Sequence, residues 1–125
     1  MSAVLKIYDS VEAQEPSKVF TCHRLTMGLD NKLNELTEEI SLIQKEIETK
    51  VKGNEKASLE DQKKIREEIK PLEAEASRLT FETIKLFFPS FTEEDFLNLD
   101  PYDYQTFVFE ISEMRNKIYN RAAKN

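Results

Sequence analysis

The sequence predicts a mainly α-helical protein that begins with a small β-hairpin, continues into a long αα-hairpin and ends in an aromatic-rich helical core. Three observations indicate this fold. Residues alternate between two faces near the N-terminus, two long stretches carry apolar residues at steps of three and four, and seven of the eight Phe lie between Phe81 and Phe109. Because 125 residues suffice for a core of their own, we expect residues 1–125 to form a single domain.

Residues 3–25 predict the β-hairpin. Alternating positions of the first strand share one face, because successive side chains of a strand point to opposite sides. These positions are Ala3, Leu5 and Ile7. A polar stretch with Pro16 predicts the loop, and the β-branched and aromatic run 18–23 predicts the second strand. A lone two-stranded hairpin is marginal in water, so we expect it to pack on helices or to pair with another chain.

Residues 25–79 predict the αα-hairpin, because two apolar stripes recur at helical spacing. The first stripe comprises Leu25, Leu29, Leu33, Leu36, Ile40, Ile43, Ile47 and Val51. The second comprises Ile65, Ile69, Leu72, Ala76 and Leu79. Gly53-Asn54 predicts the end of the first helix, and Ser58 has the character of an N-cap for the second. The stripes either bury each other or receive a partner helix in trans.

Pro71 interrupts the second of these helices. A proline inside a helix removes one hydrogen bond and costs about 3 kcal/mol. We therefore expect a kink near Lys70, or a break that lets the distal arm move.

Residues 80–125 predict the C-terminal helices. Pro89 should end the preceding helix at about Phe88, because it disfavours helical geometry in the residue before it. Thr92-Glu-Glu-Asp95 has the pattern of a helix cap, and Asp100-Pro101 predicts the start of the last helix. One face of that helix should carry Tyr104, Phe107, Val108, Ile111, Met114 and Ile118. Its basic end should carry Arg115, Lys117, Arg121 and Lys124.

Composition and charge exclude several classes of protein. Charged residues make up 34% of the chain and the formal net charge is −6, which argues against a general nucleic-acid binder. A single Cys allows no internal disulfide and is typical of a reducing compartment. No apolar run reaches the roughly 18 residues of a membrane span. The N-terminus lacks a secretion signal pattern, so we expect the protein to stay in the cytoplasm where it is made.

No residue pattern indicates catalysis or cofactor binding. Both Gly are isolated, whereas a phosphate-binding loop needs several together. Cys22 and His23 are neighbours on a predicted strand and should point to opposite faces, so we interpret them as ordinary hairpin residues. The acids at 93–95, Asp100 and Asp103 lie at helix starts and suit capping better than a cation site. We therefore expect no enzyme activity, no cofactor and no metal.

The aromatic cluster offers a candidate partner-binding site. Four Phe flank the corner that Pro89 creates, and a small domain has difficulty burying all of them. We expect one or two of the four to form an exposed docking patch. The candidates are Phe87, Phe88, Phe91 and Phe96.

The block from about Leu79 to Ile111 resembles the tail assembly chaperones of long-tailed bacteriophages that infect Gram-positive hosts. That family pattern is a helix ending in an aromatic-rich segment, then F-T-x-x-D/E-F/L and a short acidic helix. Phe91, Thr92, Asp95 and Phe96 match it. The segment 44–70 is longer and more charged than is expected of members of this family.

The resemblance implies a non-enzymatic chaperone acting in the host cytoplasm and absent from the mature virion. Such proteins bind and solubilise the tape measure protein and help recruit tail tube subunits. We expect self-association as well, and no contact with nucleic acid or membrane. Two alternatives remain open: a coiled-coil adaptor or dimerisation module, and a small acidic inhibitor of a basic protein surface. Salt distinguishes them, because charge-driven binding weakens with salt whereas apolar burial persists.

Overall fold

The structure is a computed structural model that describes residues 2–54 and 57–124. Two strands come first and four helices follow. Their bounds are Ala3–Ile7 (β1), Lys18–Cys22 (β2), Met27–Lys52 (α1), Leu59–Phe87 (α2), Glu93–Leu97 (α3) and Pro101–Lys124 (α4). This order confirms the predicted fold class: a mainly helical chain with a small N-terminal hairpin, a long αα-hairpin and an aromatic-rich C-terminal part.

The chain divides into two compact units. Residues 1–30 and 85–125 form one, here called the hairpin unit, and residues 31–84 form the other, here called the arm. Helices α1 and α2 each contribute residues to both units.

In the hairpin unit, β1 and β2 pair as antiparallel strands, with Ala3 opposite Cys22 and Ile7 opposite Lys18. The alternation in β1 is as predicted, since Ala3, Leu5 and Ile7 are buried. Helix α4 packs on β1, and the backbone N–H of Val4 donates a hydrogen bond to Glu110 Oε1 at 3.2 Å. The hairpin is therefore stabilised by a helix, as its small size requires.

Helix α4 contributes three of its predicted face residues to the core of this unit. Phe107, Ile111 and Met114 are buried. Val108 and Ile118 belong to the same predicted face but are 43% and 41% exposed. Val108 lies about 100° around the helix from Phe107. Ile118 lies past the strand, because a 24-residue helix is roughly 36 Å long and a five-residue strand only about 17 Å.

The corner between α2 and α4 is held by local hydrogen bonds. Helix α2 ends at Phe87, in agreement with the prediction from Pro89, and the N–H of Phe91 donates to the carbonyl of Phe88 at 2.9 Å. Thr92 and Asp95 form a reciprocal capping box at the start of α3. The cap predicted at Thr92 is confirmed, because it depends on residues only three positions apart, and α4 begins at Pro101 as predicted.

In the arm, α1 ends just before Gly53 and α2 begins after Ser58, whose hydroxyl accepts a hydrogen bond from the N–H of Asp61 at 3.3 Å. Lys50 Nζ lies 3.5 Å from Glu68 Oε2. This ion pair joins the end of α1 to the first half of α2, as an antiparallel helix pair requires. Both the turn and the antiparallel arrangement agree with the sequence-based expectation.

Pro71 does not interrupt α2. The helix runs from Leu59 to Phe87 with Pro71 inside it, so the predicted break is wrong. Ile69 and Leu79, which lie before and after the proline, are buried. Packing on both sides offsets the missing hydrogen bond and keeps the helix continuous. A kink at Lys70 stays a prediction.

None of the helices within residues 2–54 and 57–124 combines the length and the apolar character that crossing a bilayer requires.

Candidate partner-binding surfaces

Two of the four predicted docking residues, Phe88 and Phe91, belong to the core. Both are buried, and Phe91 is only 1% exposed. The ring of Phe20 lies 5.3 Å from that of Phe88 and 5.5 Å from that of Phe91, measured between centroids. Phe88 and Phe91 are therefore not the exposed members of the four, because strand β2 supplies an aromatic side chain that packs against both.

Phe87 and Phe96 are half-buried at the edge of the same cluster. Phe87 stands edge-on to Phe107 at 5.6 Å, and Phe96 stands edge-on to Phe91 at 6.5 Å. Edge-to-face contacts of this kind stabilise an aromatic cluster beyond the area that they bury. A role of Phe87 and Phe96 in partner binding stays a prediction.

Asp95 joins the hairpin to this corner. Its carboxylate accepts hydrogen bonds from the N–H of Thr92 at 3.0 Å and from Lys18 Nζ at 2.7 Å. Burial alone would raise the pKa of Asp95, but the hydrogen bonds from Lys18 and Thr92 outweigh it and lower the pKa below the ordinary value. The acid that the sequence assigned to a helix cap therefore also holds β2 in place.

Three large apolar residues near the corner are exposed and were not among the predicted site residues. They are Leu97, Tyr102 and Phe109, and Phe109 is 63% exposed. Tyr102 and Phe109 are seven positions apart and hence lie on one side of α4. Helical periodicity could have identified Phe109 as an exposed apolar residue, because Phe109 falls outside the apolar face predicted for this helix.

The arm carries a longer apolar surface. Helix α1 is described throughout, and none of its 26 residues is buried. Its stripe within the arm, here called the arm seam, consists of five partly buried side chains and one exposed one: Leu33, Leu36, Ile40, Ile43, Ile47 and Val51. Val51 is 46% exposed. No residue of the seam is fully buried, so part of its apolar surface is left for a third helix to cover.

Cys22 and His23, the candidate reactive pair of the hairpin, differ in burial. The Cys22 thiol is buried and donates a hydrogen bond to the carbonyl of Arg24 at 3.4 Å, whereas His23 is exposed. Burial raises the pKa of the Cys22 thiol, which disfavours the reactive thiolate. Within residues 2–54 and 57–124, no group of three or more His, Cys, Asp or Glu side chains is placed to hold a metal ion.

Comparisons with models of protein families, with curated proteins and with solved structures find no match for this chain.

Proposed function

We propose that the protein is a non-enzymatic assembly chaperone that covers the apolar stripe of a helical partner. The observation that carries this proposal is the arm seam. A regular row of apolar side chains runs along a 26-residue helix in which nothing is fully buried. A partner helix that packs into this seam would remove apolar surface from water at about 25 cal/mol per Å².

The partner that we propose is the tape measure protein of a long-tailed bacteriophage, acting in the host cytoplasm during tail assembly. This step rests on the resemblance of the block from Leu79 to Ile111. A long helical protein with exposed apolar stripes needs a cover until assembly, and the seam is complementary to such a stripe. Recruitment of tail tube subunits belongs to the same proposal.

The matching residues of that block act chiefly in the fold. Phe91 is buried, and Thr92 and Asp95 form the capping box of α3. We therefore assign the block to the architecture and partner binding to the arm. The half-buried Phe87 and Phe96 would form a separate contact surface within the hairpin unit.

Self-association follows from the same surface. In the absence of a partner, the seams of two copies can pack on each other, because the row of apolar residues is its own complement. A coiled-coil adaptor would use the seam in the same way, so the identity of the partner distinguishes the two functions. An acidic inhibitor would instead depend on charge.

Co-expression with the products of neighbouring genes, followed by pull-down on the tagged chain, tests the proposal. We expect capture of the tape measure protein, with a complex that survives washing at 1 M salt, where the Debye length is only about 3 Å. Capture of another coiled-coil protein alone would favour the adaptor. Release of the partner by salt would favour the acidic inhibitor.

A further inference from the structure

A groove is lined by α4 and by the connection between β2 and α1. It is contained within the hairpin unit. The lining includes three apolar side chains, here called the floor: Leu25, Met114 and Ile118. Leu25 and Met114 belong to the core, while Ile118 is partly open to solvent. Met27 lies at its edge and is exposed.

The rim of the groove is positively charged. Arg24 lies on the connection, and Lys117 and Arg121 lie on α4. No carboxylate occurs among the described residues that line the groove. Within residues 2–54 and 57–124, these three side chains form no ion pair. Such a cluster contrasts with the net charge of −6 on the chain as a whole.

The helix dipole accounts for only part of this cluster. Lys117 and Arg121 lie toward the C-terminal end of α4, where cations are favourable. Arg24 also lines the groove but lies outside the helix, on the connection between β2 and α1. By contrast, the adjoining Arg115 is paired with Asp30 at 2.5 Å.

We propose that this groove binds an acidic amphipathic helix. Apolar side chains of the ligand would contact Leu25, Met27 and Ile118, and its carboxylates would pair with the cations of the rim. Methionine at the edge suits such contacts, because its unbranched side chain adapts to irregular surfaces. Charge complementarity selects the sign of the ligand, and the apolar floor selects a helix with one apolar face.

Other ligands fit the groove less well. Nucleic acid would be recognised chiefly through its phosphates, and an apolar floor with Ile118 and Met114 contributes nothing to phosphate binding. A second copy of this chain would bring a net charge of −6 but must also present an apolar face between its acids. A peptide-binding experiment distinguishes nucleic acid and a second copy from an acidic helix.

The experiment uses the full chain and a fluorescent synthetic peptide of 18 residues, with Leu at helical spacing and Glu at most other positions. Binding is measured by fluorescence anisotropy at 50 mM and 150 mM salt. A second peptide has the same composition but a scrambled order. We expect the amphipathic peptide to bind at least ten times more tightly than the scrambled one, with weaker binding at the higher salt concentration.

Substitutions locate the site. Lys117→Glu/Arg121→Glu should weaken peptide binding by about tenfold or more, because the rim then repels the acids. Lys63→Glu/Lys64→Glu makes the same charge change at exposed positions of α2 and should leave binding within about twofold. Ile118→Ser should weaken binding several-fold, while Val11→Ser, in an exposed loop, should not. Circular dichroism verifies the fold, and Lys117→Gln/Arg121→Gln serves as a milder pair.

Four results would overturn the proposal. They are equal binding of the two peptides, unchanged binding by the groove variants, displacement of the peptide by duplex DNA, and an oligomer that the groove variants alone dissociate. The last result would assign the groove to a second copy. Because the ligand is a designed peptide, every one of these results is independent of whether the tape measure protein is captured.

Discussion

Asp95 connects three parts of the hairpin unit through one carboxylate. It caps α3, accepts a hydrogen bond from the backbone of Thr92 and pairs with Lys18 of β2. Its side chain is almost fully buried, while Lys18 is about half exposed. Loss of the carboxylate therefore removes the hydrogen bond from Thr92 and the ion pair with Lys18. It leaves no buried charge, because Lys18 reaches solvent.

We expect Asp95→Asn to lower the free energy of unfolding by about 1–2 kcal/mol at neutral pH. The pKa of Asp95 in the folded state lies below its ordinary value of 3.8. The stabilisation is therefore complete above that value and is lost as the pH falls through the folded pKa. Urea unfolding between pH 2 and pH 7 measures this. A difference between wild type and variant that stays constant to the lowest pH would contradict the ion-pair assignment.

The buried and exposed phenylalanines should respond differently to truncation. Phe91→Ala should destabilise the fold by about 3–5 kcal/mol, because it creates a cavity among packed rings. Phe109→Ala, at a position 63% exposed, should change stability by no more than about 0.5 kcal/mol. Thermal unfolding of both variants checks this. Equal effects would show that the aromatic cluster is packed differently.

Two of the four predicted docking residues, Phe88 and Phe91, are buried in the core. The sequence places Phe87, Phe88, Phe91 and Phe96 together, and the structure does bring them into one cluster. The sequence does not reveal that Phe20, far away along the chain, packs against two of them. Burial by a distant strand is a tertiary effect that neither spacing nor composition encodes.

At the scale of the element, α2 accommodates a proline in its interior. The capped ends and the apolar stripes of the long helices could be predicted, because those signals lie within a few residues of one another. The continuity of α2 through Pro71 could not be predicted, because it depends on packing at Ile69 and Leu79.

Pro71→Ala should therefore stabilise the arm. Alanine restores the missing N–H donor and removes the ring, and in helix interiors it is up to about 3 kcal/mol more favourable than proline. We expect a gain of about 1–3 kcal/mol, seen as slower hydrogen exchange of amides near Lys70. Ala74→Gly, at an exposed position of the same helix, should act in the opposite direction. Faster exchange in Pro71→Ala would contradict this account.

In the molecule as a whole, the hairpin unit and the arm have different proposed roles. The hairpin unit holds the capped corner and the aromatic core, and the arm presents the seam that we assign to the partner. The fold class could be predicted because the helical periodicity and the strand alternation are strong. The groove beside Ile118 could not, since it is formed by α4 and the connection between β2 and α1, which are far apart in the sequence.

The amount of soluble tape measure protein in co-expressing cells tests the central proposal most directly. Wild type should raise it, and Ile40→Asn/Ile47→Asn should abolish the effect, because both residues lie in the seam. Val51→Asn is a second seam variant at an exposed position, which avoids confusion with unfolding. Leu42→Asn is the matched control, since Leu42 is 60% exposed and lies about 160° around α1 from the seam. Retained solubility with the folded seam variants, or equal loss with Leu42→Asn, would contradict the account.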